Sequence, residues 1–404
     1  MVAKNHGSNE IKVLYINNFY DGSGWSESGI NGILSLDAAG VNVVPRPLKL
    51  NGSFHSPPAR VLELEKRPSA GCTHVIQHTL PHLMSFNGDL KNIAMFESET
   101  SHFRNTCWAD RLNLMDEVWV RNRQQVESCR DSGVTKPVKV VPHSVNIEKF
   151  QQSWGMLDSL KVYKERGDFL FYFIGEHVRR KNLLALVKAF QLEFDFYEPV
   201  QLVIKTNISG ATPQQTEKLV REDIHKLKQA MKLPAYKNEI VITDRLSEQG
   251  MYRLHSSCDC FLSASFGEAW CLPALDAMGF GKTPIVTGCT GFLDYVSDET
   301  GSLVNCRSEP CISNNDSLPD IYVANENWWS IDVNHLRSCM RAVYLNKDER
   351  KRKARNGIER VFDFSYEAVG ARMLDLLAGD DHTVAKSSRR DSLGRNGGKV
   401  QKKV

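Results

Sequence analysis

Twice along this 404-residue chain, short apolar runs rich in β-branched residues alternate with stretches whose apolar positions recur at helical spacing. That alternation constrains the fold more than any other feature. A strand followed by a helix and then another strand closes a parallel pair, and a parallel sheet needs helices on both faces. The first series opens with "IKVLYIN" (11–17) and the Gly- and Ser-rich loop "NNFYDGSGWSESG". A helical "INGILSLDAAG", stopping at Gly40, and the strand "VNVVPRPL" complete a βαβ unit. Further strands are expected at 73–79, 92–97, 117–122 and 138–145. The second series begins near 168 with "FLFYFIG" and continues through "VQLVIKTN", "EIVITD", "CDCFLSAS" and "TPIVTG", with helical stretches between most of them. The stretch "NCRSEPCISNNDSLPDIYVANENWW" has turn chemistry and no period, so it reads as a loop. Helices follow at "DVNHLRSCMRAVYL", at "KDERKRKARNGIERV" and from about Tyr366 to Leu377.

The expected fold class is therefore α/β, with two Rossmann-like parallel-sheet domains facing across a cleft. The boundary falls in "VPHSVNIEKF" (141–150), giving domains over 1–148 and 149–365, a closing helix over 366–379 and a basic, disordered tail over 380–404. In sheets of this kind ligands bind outside the carboxyl ends of the strands.

Composition narrows the class. With 41% hydrophobic and 25% charged residues the chain can bury sizeable cores. No run approaches the roughly 20 apolar residues of a membrane span, and the N-terminus lacks a secretory leader's apolar stretch. The ten cysteines form no regular framework and none has zinc spacing, so they read as reduced thiols in a cytoplasmic protein. Net charge is +3, but residues 386–404 hold seven Lys/Arg and one Asp, leaving the other 385 residues at −3. The basic tail suits solubility, or contact with nucleic acid or an anionic membrane.

The most specific segment is "SFGEAWCLPALDAMGFGKTPIV" (265–286). It resembles the acidic signature of retaining GT-B glycosyltransferases of the group 1 type: E, seven residues, E, within S-x-x-E-G-F-G-L-P-x-x-E-A-M-A-x-G-x-P-V. Ser265, Glu268, Leu272, Pro273, Ala277, Met278, Gly281 and Pro284 fall in place, and Asp276 stands where the second Glu is usual. "VPHSVNIEKF", "FIGEHVRRKNLLALVKAF", "TGCTGFLDYVSDETGSLV" and "FSYEAVGARMLDLL" are similar to further segments of that family, so the likeness covers about residues 11–378. It implies the GT-B fold, with the C-terminal helix returning to the N-domain, and a retaining hexosyltransferase that uses a nucleotide sugar. No other cofactor is implied, and the co-substrate is a UDP- or GDP-sugar. Among this chain's motifs no D-x-D stands out, so no metal ligand is expected.

The resemblance also implies roles. Glu268 meets donor-sugar hydroxyls and Asp276 ribose hydroxyls; backbone around Ala269, Trp270, Cys271 and Leu272 meets the sugar and diphosphate. Pro273 suits a first helical turn, whose free N–H groups favour anions. Lys181 matches the lysine that neutralises the phosphates. The family arginine is Glu176 here, and Arg179, Arg180 or Lys205 is the candidate replacement. Gly24 and Ser26 in the glycine loop are expected at the donor phosphate, His78 near the transferred sugar, and Glu97 and Trp25 on the acceptor side. The acceptor is expected to be a glycan or a lipid headgroup. Two rivals stand beside this reading: a glycosyltransferase for hydroxymethylated bases in DNA, suited by the basic tail, and an inactive nucleotide-sugar-binding protein, motivated by Glu176 and Asp276.

Overall fold

The computed structural model describes residues 11–379 apart from 51, 53 and 313–318. The expected tail therefore lies outside the described residues. The N-terminal strands are β1 (Lys12–Asn17), β2 (Asn42–Pro47), β3 (His74–His78), β4 (Lys91–Met95), β5 (Glu117–Val120) and β6 (Val138–Val140). They form one sheet in the order β2-β1-β3-β4-β5-β6, and every pair is parallel. Helices α1 (Gly24–Ala38), α2 (Ala59–Glu65), α3 (Trp108–Leu112) and α4 (Arg123–Asp131) connect them.

The second sheet comprises β7 (Phe169–Ile174), β8 (Val200–Lys205), β9 (Ile240–Ile242), β10 (Cys260–Ser263), β11 (Thr283–Thr287) and β12 (Ser302–Val304). Its order is β12-β11-β10-β7-β8-β9, again all parallel. Helices α5 (Asp158–Glu165), α6 (Leu183–Glu193), α7 (Pro213–Met231), α8 (Glu248–Ser257) and α9 (Leu272–Gly279) precede or link its strands. Continuous apolar runs such as "FLFYFI" in β7 are what a sheet buried on both faces requires. Each sheet accordingly carries two separate core clusters.

The last helices are α10 (Val333–Leu345), α11 (Lys347–Val361) and α12 (Tyr366–Ala378). α12 crosses back to the N-terminal sheet, where Val369, Met373, Leu376 and Leu377 join the core around Val13, Ile33 and Leu36. A Cβ on Gly370 would sit 2.0 Å from the Ser35 carbonyl oxygen, so glycine sets how closely α12 approaches α1. The return path lies beside the outward one: Val145 N–H donates to the Phe364 carbonyl at 2.9 Å.

Two local expectations are corrected. The stretch read as a loop contains an antiparallel hairpin, β13 (Cys306–Pro310) with β14 (Asn327–Ile331). Trp328 of β14 stacks on Phe266 at 4.4 Å between centroids, a tertiary contact that no local period reveals. The glycine loop is also shorter than expected, because α1 begins at Gly24, capped by the Ser23 hydroxyl accepting from Ser26 N–H.

Candidate active site

The carboxyl ends of both sheets carry the polar residues singled out in the sequence, and the two sets face each other. On the C-terminal side, β10 runs into Ser265, Gly267 and Glu268, and α9 starts at Leu272 with Pro273 in its first turn. Cys271 precedes the helix with φ +76°, a left-handed conformation that favours glycine.

Glu268 is buried, at 4% exposure, and heavily partnered. Its Oε1 accepts from Lys181 Nζ at 2.6 Å and from Ser265 Oγ at 2.6 Å; Oε2 lies 3.3 Å from Arg180 Nη1. Burial alone would raise its pKa, but Lys181 and Arg180 outweigh it and hold the carboxylate at about 2. Lys181 and Arg180 come from the turn after β7, at Arg179–Lys181. Arg180 also donates to the Gly267 carbonyl at 2.7 Å. The backbone behind Glu268 is pinned from the next loop, where Thr290 Oγ1 accepts from Glu268 N–H and Gly291 N–H donates to the Glu268 carbonyl.

The structure thus brings Glu268, Lys181 and Arg180 together and places the other arginine candidates elsewhere. Arg179 is exposed and donates to the Ile312 carbonyl. Lys205 ends β8, buried, with Nζ 3.5 Å from the Thr206 carbonyl; burial lowers its pKa. Glu176, at the family arginine position, accepts from Ser209 N–H at 2.9 Å.

Asp276 sits in the middle of α9. Its Oδ1 pairs with Lys149 Nζ at 2.7 Å. Burial would lower the Lys149 pKa, but Asp276 and the nearby Glu27 raise it overall. Trp270 is buried: its ring stacks on Tyr295 at 4.8 Å and lies 5.9 Å from the His143 ring of the opposite domain. The Ala269 carbonyl accepts from Asn122 Nδ2 across the cleft at 2.6 Å.

The N-terminal wall is a buried polar cluster. Glu97 Oε1 accepts from Arg121 Nε at 2.7 Å and lies 3.1 Å from His78 Nε2 and 3.5 Å from His143 Nε2. Arg121 Nη2 reaches Ser28 Oγ and His78 Nε2, each at 2.8 Å. Burial lowers the His78 pKa, so its ring is neutral near pH 7. Its Nδ1 lies 2.9 Å from the Tyr15 hydroxyl. Burial would raise the Glu97 pKa, but His78 and Arg121 hold it far below the carboxylate range.

The remaining candidates lie around this wall. His78 has no exposed surface and both ring nitrogens are engaged, Nδ1 by Tyr15 and Nε2 by Ser28, Glu97 and Arg121. Trp25 lies 5.6 Å from it, ring to ring. Gly24 and Ser26 belong to the first turn of α1 rather than to a loop; a Cβ on Gly24 would meet nothing, whereas Gly22, at φ +68°, is confined beside Arg245 and His55. Arg121, His143, Glu99 and Lys149 escaped the sequence reading. A cation directly after the buried strand "EVWV" was the available signal for Arg121.

Comparison with known proteins agrees with this architecture. Residues 159–318 match the family model of Glycosyl transferases group 1. Sucrose-phosphate synthase from Thermosynechococcus elongatus superposes with a TM-score of 0.62 at 16% identity, covering 91% of this chain and 98% of that one. HepE of Anabaena, solved in complex with UDP-glucose, gives 0.60 at 13% identity, covering 91% of this chain and all of the other. The fold is GT-B. Among curated proteins, ORF313 of Acidianus filamentous virus 1, provisionally named a glycosyltransferase, is 26% identical over 120 residues. That match spans 29% of this chain and 36% of the relative, so it covers about a third of the latter's length. Among the described residues no helix is long and apolar enough to cross a membrane.

Proposed function

We propose that this GT-B chain is a glycosyltransferase that moves a sugar from a nucleoside diphosphate to a hydroxyl acceptor with retention of configuration. One observation carries the reading: a buried carboxylate, Glu268, held between Lys181 and Arg180 just before the start of α9, where Arg180 also reaches Glu99 of the opposite domain. A carboxylate kept ionised in this way accepts hydrogen bonds from sugar hydroxyls. Lys181, Arg180 and the positive end of the α9 dipole supply positive potential for a diphosphate as it leaves. On this reading Arg180 replaces the family arginine.

In the proposed step the bond from the sugar C1 to the phosphate oxygen breaks and a bond from C1 to the acceptor oxygen forms on the same face. The acceptor proton passes to the departing phosphate oxygen, so no protein carboxylate attacks the sugar. The protein contributes positioning and electrostatics. No metal is required in this scheme. On the N-terminal wall Glu97 Oε2, Ser26 Oγ and His143 Nδ1 are buried without a hydrogen-bond partner. Buried polar atoms of that kind favour a polar ligand over an apolar one, which supports an acceptor bound by hydroxyl groups, such as a glycan or a lipid headgroup. UDP is the favoured nucleotide, because HepE was solved with UDP-glucose. The test is release of nucleoside diphosphate from a donor sugar by the wild type and its loss in Glu268→Ala.

A further inference from the structure

Arg180 is the only proposed phosphate-binding group whose guanidinium is shared between the two domains. Nη1 reaches Gly267 and Glu268 on its own side. Nη2 reaches Glu99 Oε1, 3.3 Å away in the segment after β4 of the opposite domain. The other oxygen of Glu99 is also fixed, since Oε2 accepts from the Tyr322 hydroxyl at 2.7 Å. The backbones there are in close contact: a Cβ on Gly267 would sit 2.2 Å from the Glu99 carbonyl oxygen. The seam continues away from the site. Ser101 N–H donates to the Asn327 carbonyl at 2.9 Å, Asn327 N–H to Ser101 Oγ at 2.9 Å, and the side-chain amides of Asn105 and Asn325 pair.

We infer that Glu99 is a positioning residue that aims Arg180 at the leaving diphosphate when the two domains are seated on each other. This inference rests on the function proposed above. Without Glu99, no other described residue across the seam holds Nη2, and the guanidinium settles on Glu268, where it neutralises the carboxylate instead of facing the phosphates. A purely electrostatic role predicts the opposite. Glu99 is a negative charge beside a site for an anion, so its removal would then tighten donor binding and leave or raise turnover.

The experiment measures nucleoside diphosphate release from UDP-glucose, GDP-mannose and ADP-glucose by the full chain. The variants are Glu99→Gln, Arg180→Ala, the pair together, and Tyr322→Phe, with thermal unfolding recorded for each. Arg180→Ala should lower kcat about a hundredfold, as loss of one charge-stabilising donor does. Glu99→Gln should lower kcat about tenfold without raising the donor KM, and the double variant should be no slower than Arg180→Ala, because both changes act through one group. Tyr322→Phe, which removes one hydroxyl, should lower kcat about threefold by the same route. An unchanged or increased kcat in Glu99→Gln, or losses that multiply in the double variant, overturns the inference. If Glu99→Gln does not fold, an unchanged kcat in Tyr322→Phe overturns it. A wild type that releases nothing from any donor sinks the proposed function and the inference with it. An active wild type with multiplying losses sinks only the inference.

Discussion

Replacing Lys149 by methionine should destabilise the C-terminal domain far more than removing a surface lysine would. Lys149 is 7% exposed and its Nζ lies 2.7 Å from Asp276 Oδ1. At an effective dielectric near 20, that separation corresponds to about 6 kcal/mol of gross attraction. Much of it offsets desolvation, so the measurable loss is that of breaking a buried pair from one side, about 3–5 kcal/mol. Two ring contacts are lost as well, to Phe150 at 5.2 Å and Tyr252 at 5.5 Å. At roughly 2–4 °C per kcal/mol for a domain of this size, Tm should fall by roughly 6–20 °C. The check is denaturant or thermal unfolding at pH 7 of Lys149→Met, Asp276→Asn and the double variant. The double variant should lose clearly less than the sum of the singles, since it leaves no buried charge alone. Losses that add, or a single variant within about 0.5 kcal/mol of wild type, would refute the pairing.

Three further outcomes are expected. Gly267→Ala should cut turnover and lower Tm, because its methyl would strike the Glu99 backbone; overpacking of this kind costs about 1–3 kcal/mol. Glu326 is fully buried beside the domain seam and burial raises its pKa to about 7, so the native state binds its proton more tightly than the unfolded chain, near 4.3. Its contribution to stability is then full below about pH 4.3 and is lost as pH rises through about 7; a Tm–pH profile should show this loss flattened in Glu326→Gln. Glu268 shows the reverse sign: its pKa is depressed to about 2, so its contribution is present above about pH 4.3 and fades towards pH 2, a fade that Glu268→Gln should remove.

The parallel sheets were legible because their strands are continuous apolar runs separated by helical periods, as in β7 and α6. The hairpin β13–β14 was not legible, since it is held by the stacking of Trp328 on Phe266 from a distant segment. The start of α1 was misjudged because glycine and serine punctuate both loops and helix caps, and here Ser23 is a cap. Within the candidate site, Glu268 and Lys181 could be picked out from a dense motif. Arg180 stood as one of three possible cations, and only the fold shows it turned toward Glu268. Glu99 and Lys149 carry no local signal. One becomes notable when the seam places it against Gly267, the other when the interdomain segment lays it along α9.

The most direct test of the central claim is nucleoside diphosphate release from a panel of UDP-, GDP- and ADP-sugars, with Glu268→Ala as the blank. The account predicts release from at least one donor, lost by about a hundredfold or more in the blank. Release that persists undiminished in Glu268→Ala, or none from any donor by the wild type, would contradict it.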